Sequence, residues 1–193
     1  MTIKPILFNT EMVRAILDGR KSVTRRVVKH DTNEILNSPY HKKHPEVEDK
    51  QIISKLCMPP YQTEDVLYVR ETWCLRYDGE KYFYKADKNT QLEEKQLVDY
   101  DHVSWKASIH MPKEAARIWL KVKGVRVERL QDITDEQAEK EGCNDYTSTA
   151  LGFSYLWDST IKRTEIDRYG WDANPWVWVI DFEQCEKPEE FYR

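Results

Sequence analysis

The run that most limits what this chain can become is its last long apolar stretch, Asn174-Pro-Trp-Val-Trp-Val-Ile-Asp-Phe-Glu183. Strand alternation sends Trp176, Trp178, Ile180 and Phe182 to one common face, and a proline at a strand's start is where a strand tolerates it. Such a face has to be covered, so the fold needs a sheet with something packed on it. The chain is long enough to provide that: at 193 residues it can bury roughly 70% of its unfolded surface in one domain. Gly and Pro are sparse, at 6 and 8, which excludes collagen-like and low-complexity chains. The closing apolar run Trp176-Ile180 falls far short of the roughly 20 residues of a membrane span. The amino terminus lacks the apolar region and cleavage site of a secretory signal, so the expectation is a cytoplasmic protein with no membrane partner.

Other segments fill in a mixed architecture. Asn9 to Leu17 places Met12, Val13, Ile16 and Leu17 at helical spacing, with Asn9 or Thr10 as N-cap and Gly19 just past the end. Ser22 to Val28 is β-branched enough to read as a strand entered directly from that helix. Lys29 to Glu64 dissolves into polar residues around one apolar island, Ile52 to Leu56, and reads as an excursion from the core. Asp65 to Trp73 alternates as a strand. Asp78-Gly79 between aromatic runs predicts a hairpin, and Ala116 to Leu130 predicts a long strand with a bulge or bend at Gly124. Thr134 to Gly142 and Ala150 to Ile161 read as helices. The predicted class is α+β, a small mixed sheet curled into a barrel and flanked by helices, in one domain over 1–193 with insertions at about 29–64 and 88–105.

Function classes narrow on charge and spacing. The net charge of -4 argues against a wholesale electrostatic grip on nucleic acid, so any such contact must come from a local patch. Four cysteines without C-x-x-C spacing read as reduced thiols, and His41-Lys-Lys-His44 lacks the carboxylate or cysteine company of a metal site. No phosphate loop, dinucleotide fingerprint or nucleophile elbow is present, so neither a metal nor a cofactor is expected.

The densest chemical cluster is Gly19-Arg-Lys-Ser-Val-Thr-Arg-Arg26, at the junction of helix and strand. Burial and the neighbouring Arg20, Arg25 and Arg26 would lower the pKa of Lys21, and a neutral lysine can take the proton of Thr24 to make an oxygen nucleophile. Residues three apart in a strand point to opposite faces, so Lys21 and Thr24 can meet only if Lys21 precedes the strand or the backbone bends. Solvated cations at a helix end fit the same residues. On the helix beginning at Thr134, a spacing of 100° per residue groups Asp135, Glu136, Glu139 and Lys140 on one side. Ile133, Thr134, Gln137, Ala138 and Glu141 share the other, which makes Glu141 the carboxylate of the inward face, in need of a cationic partner. Trp105, near Ser108, His110, Lys113 and Arg117, offers a flat face for a base as readily as a packing role; Trp73 is a second stacking candidate.

Gly19-x-Lys21-x-x-Thr24-x-Arg26, the strand Asp65-Val-Leu-Tyr-Val-Arg70-Glu71 and the closing Val179-Ile-Asp-Phe182 resemble the ASCH domain, a member of the PUA-like superfamily of small β-barrels associated with RNA. The resemblance covers most of the chain, and its wording is similar to longer ASCH proteins carried by phages and prophages. A hydroxyl at Thr24 is similar to the small bacterial amidohydrolases that deacylate acetylcytidine, which implies a catalytic set of Lys21, Thr24 and Glu141. The implied reaction removes an acyl group from the exocyclic amine of a cytidine-type nucleoside. The alternative is a non-catalytic binder of single-stranded RNA or a modified base, or a metal-independent ribonuclease. Substrate or nucleic-acid contacts then fall to Arg20, Arg26, Arg70, Glu71, Trp73, Trp105 and His110.

Overall fold

The structure, a computed structural model, describes residues 2–75, 82–87, 104–143 and 150–189. The strands are β1 (Ile3–Leu7), β2 (Val23–Val27), β3 (Val66–Arg70), β4 (Trp73–Leu75), β5 (Tyr82–Tyr84), β6 (Trp119–Arg129) and β7 (Trp176–Cys185). The helices are α1 (Thr10–Leu17), α2 (Thr32–Leu36), α3 (Pro39–Lys43), α4 (Asp49–Leu56), α5 (Asp135–Lys140), α6 (Ala150–Thr160) and α7 (Ile166–Tyr169). Five strands form a mixed sheet in the order β1-β3-β6-β7-β2, and β4 and β5 form a separate pair. The expected closed barrel does not form among the described residues. The sheet ends on β1 and β2, because closure needs a pairing between these two end strands that neither makes.

The chain divides into two compact units: Met1–Arg20, Glu64–Lys121 and Glu183–Arg193 make one, Lys21–Thr63 and Val122–Phe182 the other. In the first, β1 lies parallel to β3 from Ile3↔Val66 to Leu7↔Arg70, and β3 is antiparallel to β6. Val66, Trp73, Met111, Ala115, Ala116 and Trp119 pack there as a buried cluster. The β4–β5 pair carries the predicted hairpin, with Trp73 opposite Tyr84; its Asp78-Gly79 turn lies outside the described residues, as do most of the segment 88–105 and residues 144–149.

In the second unit, β2 is antiparallel to β7, with Val23 opposite Asp181 and Val27 opposite Val177. Val23, Val177 and Val179 meet Leu130, Ile133, Ala138, Phe153 and Trp157 in one apolar cluster. The excursion 29–64 carries α2, α3 and α4. Asp31 caps the first through the amides of Asn33 and Glu34, and Ser38 caps the second through His41 with Pro39 at its first position. Only Ile52 and Ile53, on α4, are buried among these helices. β6 runs as one strand through Gly124, where a side chain's first carbon would sit 3.5 Å from Asp181. No helix among the described residues is long and apolar enough to cross a membrane.

Candidate functional site

Two glycines deliver the central pair of charges. Gly19, at φ +73°, ends α1: its amide donates to Ile16 O and that of Arg20 to Ala15 O, a left-handed cap that an L side chain opposes. Lys21 follows two residues later, ahead of β2. Gly142, at φ +88°, ends α5 in the same way, with its amide on Glu139 O and that of Cys143 on Ala138 O. The residue left at the C-cap is Glu141. At the other end of α5 a capping box joins Thr134 and Gln137.

Lys21 and Glu141 are both buried, with side-chain exposures of 0% and 3%. Lys21 Nζ donates to Glu141 Oε2 at 2.6 Å, to Glu141 O at 2.8 Å and to Val23 O at 2.7 Å. An ammonium has three donors, and here three oxygens meet them. Burial pulls the Lys21 pKa below its ordinary value, and the Glu141 carboxylate offsets part of that fall. The second carboxylate oxygen, Glu141 Oε1, accepts from Arg25 Nη1 at 3.1 Å. Arg25 Nη2 donates to Gln137 Oε1 at 2.6 Å and lies 3.4 Å from Glu128 Oε2. Its guanidinium also sits 5.7 Å from the ring centre of Phe153. Burial pushes the neighbouring Cys143 thiol up, so it stays protonated at neutral pH.

Thr24 is buried and opposite Ile180 on β7. Alternation places Thr24 and Arg26 on one face of β2 and Val23, Arg25 and Val27 on the other. The structure therefore brings Lys21 and Glu141 together and adds Arg25 to them, whereas Thr24 Oγ is not among the three oxygens that Lys21 Nζ meets. Arg25 was legible as an inward residue, because it alternates with two valines in Val23-Thr-Arg-Arg-Val27; Gln137 shares the inward face of α5 with Glu141.

Beside β2 lies an open cleft of about 820 Å³. Arg26, Lys29 and Lys162, with the already paired Arg25, put cations on its wall against one carboxylate, Glu165, while Tyr61 and Tyr169 offer half-buried rings. The indole of Trp157, fixed by its Nε1 donating to Tyr169 O at 2.8 Å, and that of Trp178 form the floor. Burial pushes the Tyr61 hydroxyl up, and Arg26 opposes part of that, so the hydroxyl stays protonated at neutral pH.

The remaining candidates belong to the first unit. Arg20 is exposed and pairs with Asp18 at 2.9 Å. Arg70 donates through Nε to Met111 O at 2.9 Å and through Nη2 to Ile109 O. Glu71 is buried in a two-pronged pair with Arg117 at 2.9 and 3.1 Å. Trp73 is a core residue with Lys106 Nζ 5.0 Å from its ring centre. Half-buried Trp105 packs with Cys74 and Phe83, and His110 is exposed in a short 3-10 turn. Among the described residues no three His, Cys, Asp or Glu side chains gather as metal ligands.

No family model matches the chain, and no curated protein matches it. Two solved structures are similar. One is the ASCH domain from Lactobacillus crispatus JV V101, alike over 95% of this chain and 79% of that one at 11% identity, with a TM-score of 0.47. The other, of a protein described as hypothetical, is alike over 96% of this chain and all of that one at 13% identity, with a TM-score of 0.39. At these identities and scores they stand as likenesses, and the chemistry of the site rests on its own residues.

Proposed function

We propose that the protein binds a nucleotide or a short stretch of single-stranded RNA in the cleft beside β2. The observation that carries this is the local reversal of charge: Arg25, Arg26, Lys29 and Lys162 line the cleft against one carboxylate, Glu165, in a chain whose net charge is -4, and Arg25 is the one already held by Glu141 and Gln137. Cations meet phosphates, and the rings of Tyr61 and Tyr169 offer faces on which a base stacks. With about three phosphate contacts on a single strand, the log-log slope of affinity against salt is about -2. Titrating a fluorescent single-stranded RNA between about 50 and 200 mM salt measures it. The double substitution Lys29→Glu and Lys162→Glu flattens the slope and weakens binding; affinity indifferent to both salt and the substitutions refutes the reading.

A second reading, removal of an acyl group from the exocyclic amine of a cytidine, is favoured by the buried lysine whose charge is discouraged. Thr24 Oγ would attack the acyl carbon while its proton passes to Lys21 Nζ. The carbon–nitrogen bond then breaks, the amine leaves with that proton, and water hydrolyses the acyl-threonine ester. Lys21 must first give up one of its three oxygens for Thr24. Chromatography of acetylcytidine with the wild type and Thr24→Ala decides it: turnover lost in the variant supports the step, and no wild-type turnover at protein concentrations near the substrate's removes it.

A further inference from the structure

β2 is an end strand of the sheet, and its hydrogen-bond phase is fixed at both ends. Phe182 N donates to Ser22 O, and Val28 N donates to Trp176 O, both at 2.9 Å. The pairs Thr24↔Ile180 and Arg26↔Trp178 lie between them in the same register. In an antiparallel ladder every second residue bonds the partner strand, so the even positions face β7 and the amides and carbonyls of Val23, Arg25 and Val27 turn outward. Lys21 Nζ takes Val23 O, and Arg25 is buried. Val27 differs from Val23 in that, among the described residues, neither its N–H nor its C=O has a partner, and from Arg25, which lines the cleft beside it, in being half-buried rather than buried.

A donor and an acceptor a few ångströms apart on a cleft wall, with neutral rings nearby, match the pairing edge of a nucleobase, where an acceptor adjoins an N–H. We infer that Val27 reads the base: its N–H donates to a ring nitrogen or carbonyl oxygen, and its C=O accepts from the adjacent base N–H. This rests on the nucleotide reading of the cleft and gives that site its base-dependent share of affinity, beside the phosphate share of the cations.

Proline at position 27 tests it, because an outward amide on an edge strand can be deleted without breaking the ladder to β7. Affinities of the wild type and Val27→Pro are measured for cytidine 5′-monophosphate and for ribose 5-phosphate. The variant weakens the nucleotide about five- to tenfold, the worth of one such hydrogen bond, and leaves ribose 5-phosphate unchanged. Equal nucleotide affinity in the two proteins overturns the inference. Residue-resolved amide exchange on the wild type gives the same answer should the variant fold poorly. The Val27 amide exchanges faster than that of Arg26 in the free protein and is slowed by saturating cytidine 5′-monophosphate; an unslowed Val27 amide overturns the inference while leaving the cleft as a nucleotide site. A wild type that binds neither probe overturns the functional reading and this inference together.

Discussion

Glu141→Gln isolates the charge that holds the centre of the second unit. The carboxylate stands 2.6 Å from Lys21 Nζ and 3.1 Å from Arg25 Nη1. At an effective dielectric constant near 20 those separations correspond to gross attractions of about 6 and 5 kcal/mol, much of which desolvation cancels. Breaking a buried pair by removing one partner costs about 3–5 kcal/mol. Lysine has an escape that arginine lacks: it can release its proton. From an unfolded pKa near 10.4, doing so at pH 7 costs about 1.4 kcal/mol for each of roughly 3.4 units, or about 4.6 kcal/mol, and at pH 9 about 1.9 kcal/mol. The Lys21 share of the penalty cannot exceed that ceiling. Burial already lowers the folded pKa of Lys21, and loss of the carboxylate lowers it further. Between the folded pKa and about 10.4 the unfolded chain holds a proton that the folded one lacks, so stability rises with pH in that window. The variant is therefore destabilised by about 3–5 kcal/mol at pH 7, and the gap to wild type narrows as the pH approaches 10. Urea unfolding followed by tryptophan fluorescence at pH 7, 8 and 9 measures both quantities. A cost under about 1 kcal/mol at pH 7, or a gap that widens with pH, refutes the argument, the former because it would mean that Lys21 is already neutral in the wild type.

The two ends of α5 give cheaper tests of how Glu141 is placed. Gly142→Ala puts a side chain on a backbone at φ +88°, which costs about 1–2 kcal/mol; a thermal melt unchanged from wild type would contradict the left-handed cap. Thr134→Ala removes the oxygen that accepts from Gln137 N at 3.3 Å and should cost about 1 kcal/mol in the same assay, with Thr134→Ser recovering most of it.

How much of this was legible depended on the range of the interaction. α1 and its stop were plain, because Asn9 and Gly19 act within a few residues of themselves: Asn9 Oδ1 accepts from Met12 N at 2.9 Å, and Gly19 takes the positive φ. The closing strand was plain because alternation is local too. The helices α2 and α3 were not, since each has five residues and no buried side chain, and a cap such as Asp31 or Ser38 is a weaker signal than an apolar stripe. Openness of the sheet was invisible for a different reason: it depends on β1 and β2 finding or missing a partner far away in sequence. At the site, the inward face of Glu141 followed from helical spacing. The role of Arg25 was obscured by reading four basic residues as one patch, although its alternation with Val23 and Val27 marked it as inward. The cleft was beyond reach, since Tyr61, Lys162 and Arg26 come from segments that share no periodicity.

One ammonium at Lys21 closes three structural gaps at once. The outward carbonyl of Val23 would otherwise be an unpaired acceptor on the edge of β2, and Glu141 O lies at the end of α5, where carbonyls lack intrahelical partners. The third acceptor, Glu141 Oε2, supplies the formal charge that makes burying the ammonium tolerable. A compact, three-donor head suits three acceptors arranged around a point, whereas a planar guanidinium does not, and the guanidinium in this site, Arg25, instead spans a row of oxygens on Glu141, Gln137 and Glu128. The same arrangement limits the chemistry. A lysine that joins strand to helix through all three donors can act as a base toward Thr24 only by releasing one of those oxygens, and the two neutral carbonyls, Val23 O and Glu141 O, cost less to release than the carboxylate. Deacylation is thus in competition at Lys21 with the integrity of the β2 edge or of the α5 end. The nucleotide reading needs no such release, because Lys29, Lys162 and the outward pair on Val27 are not among the groups that hold Lys21.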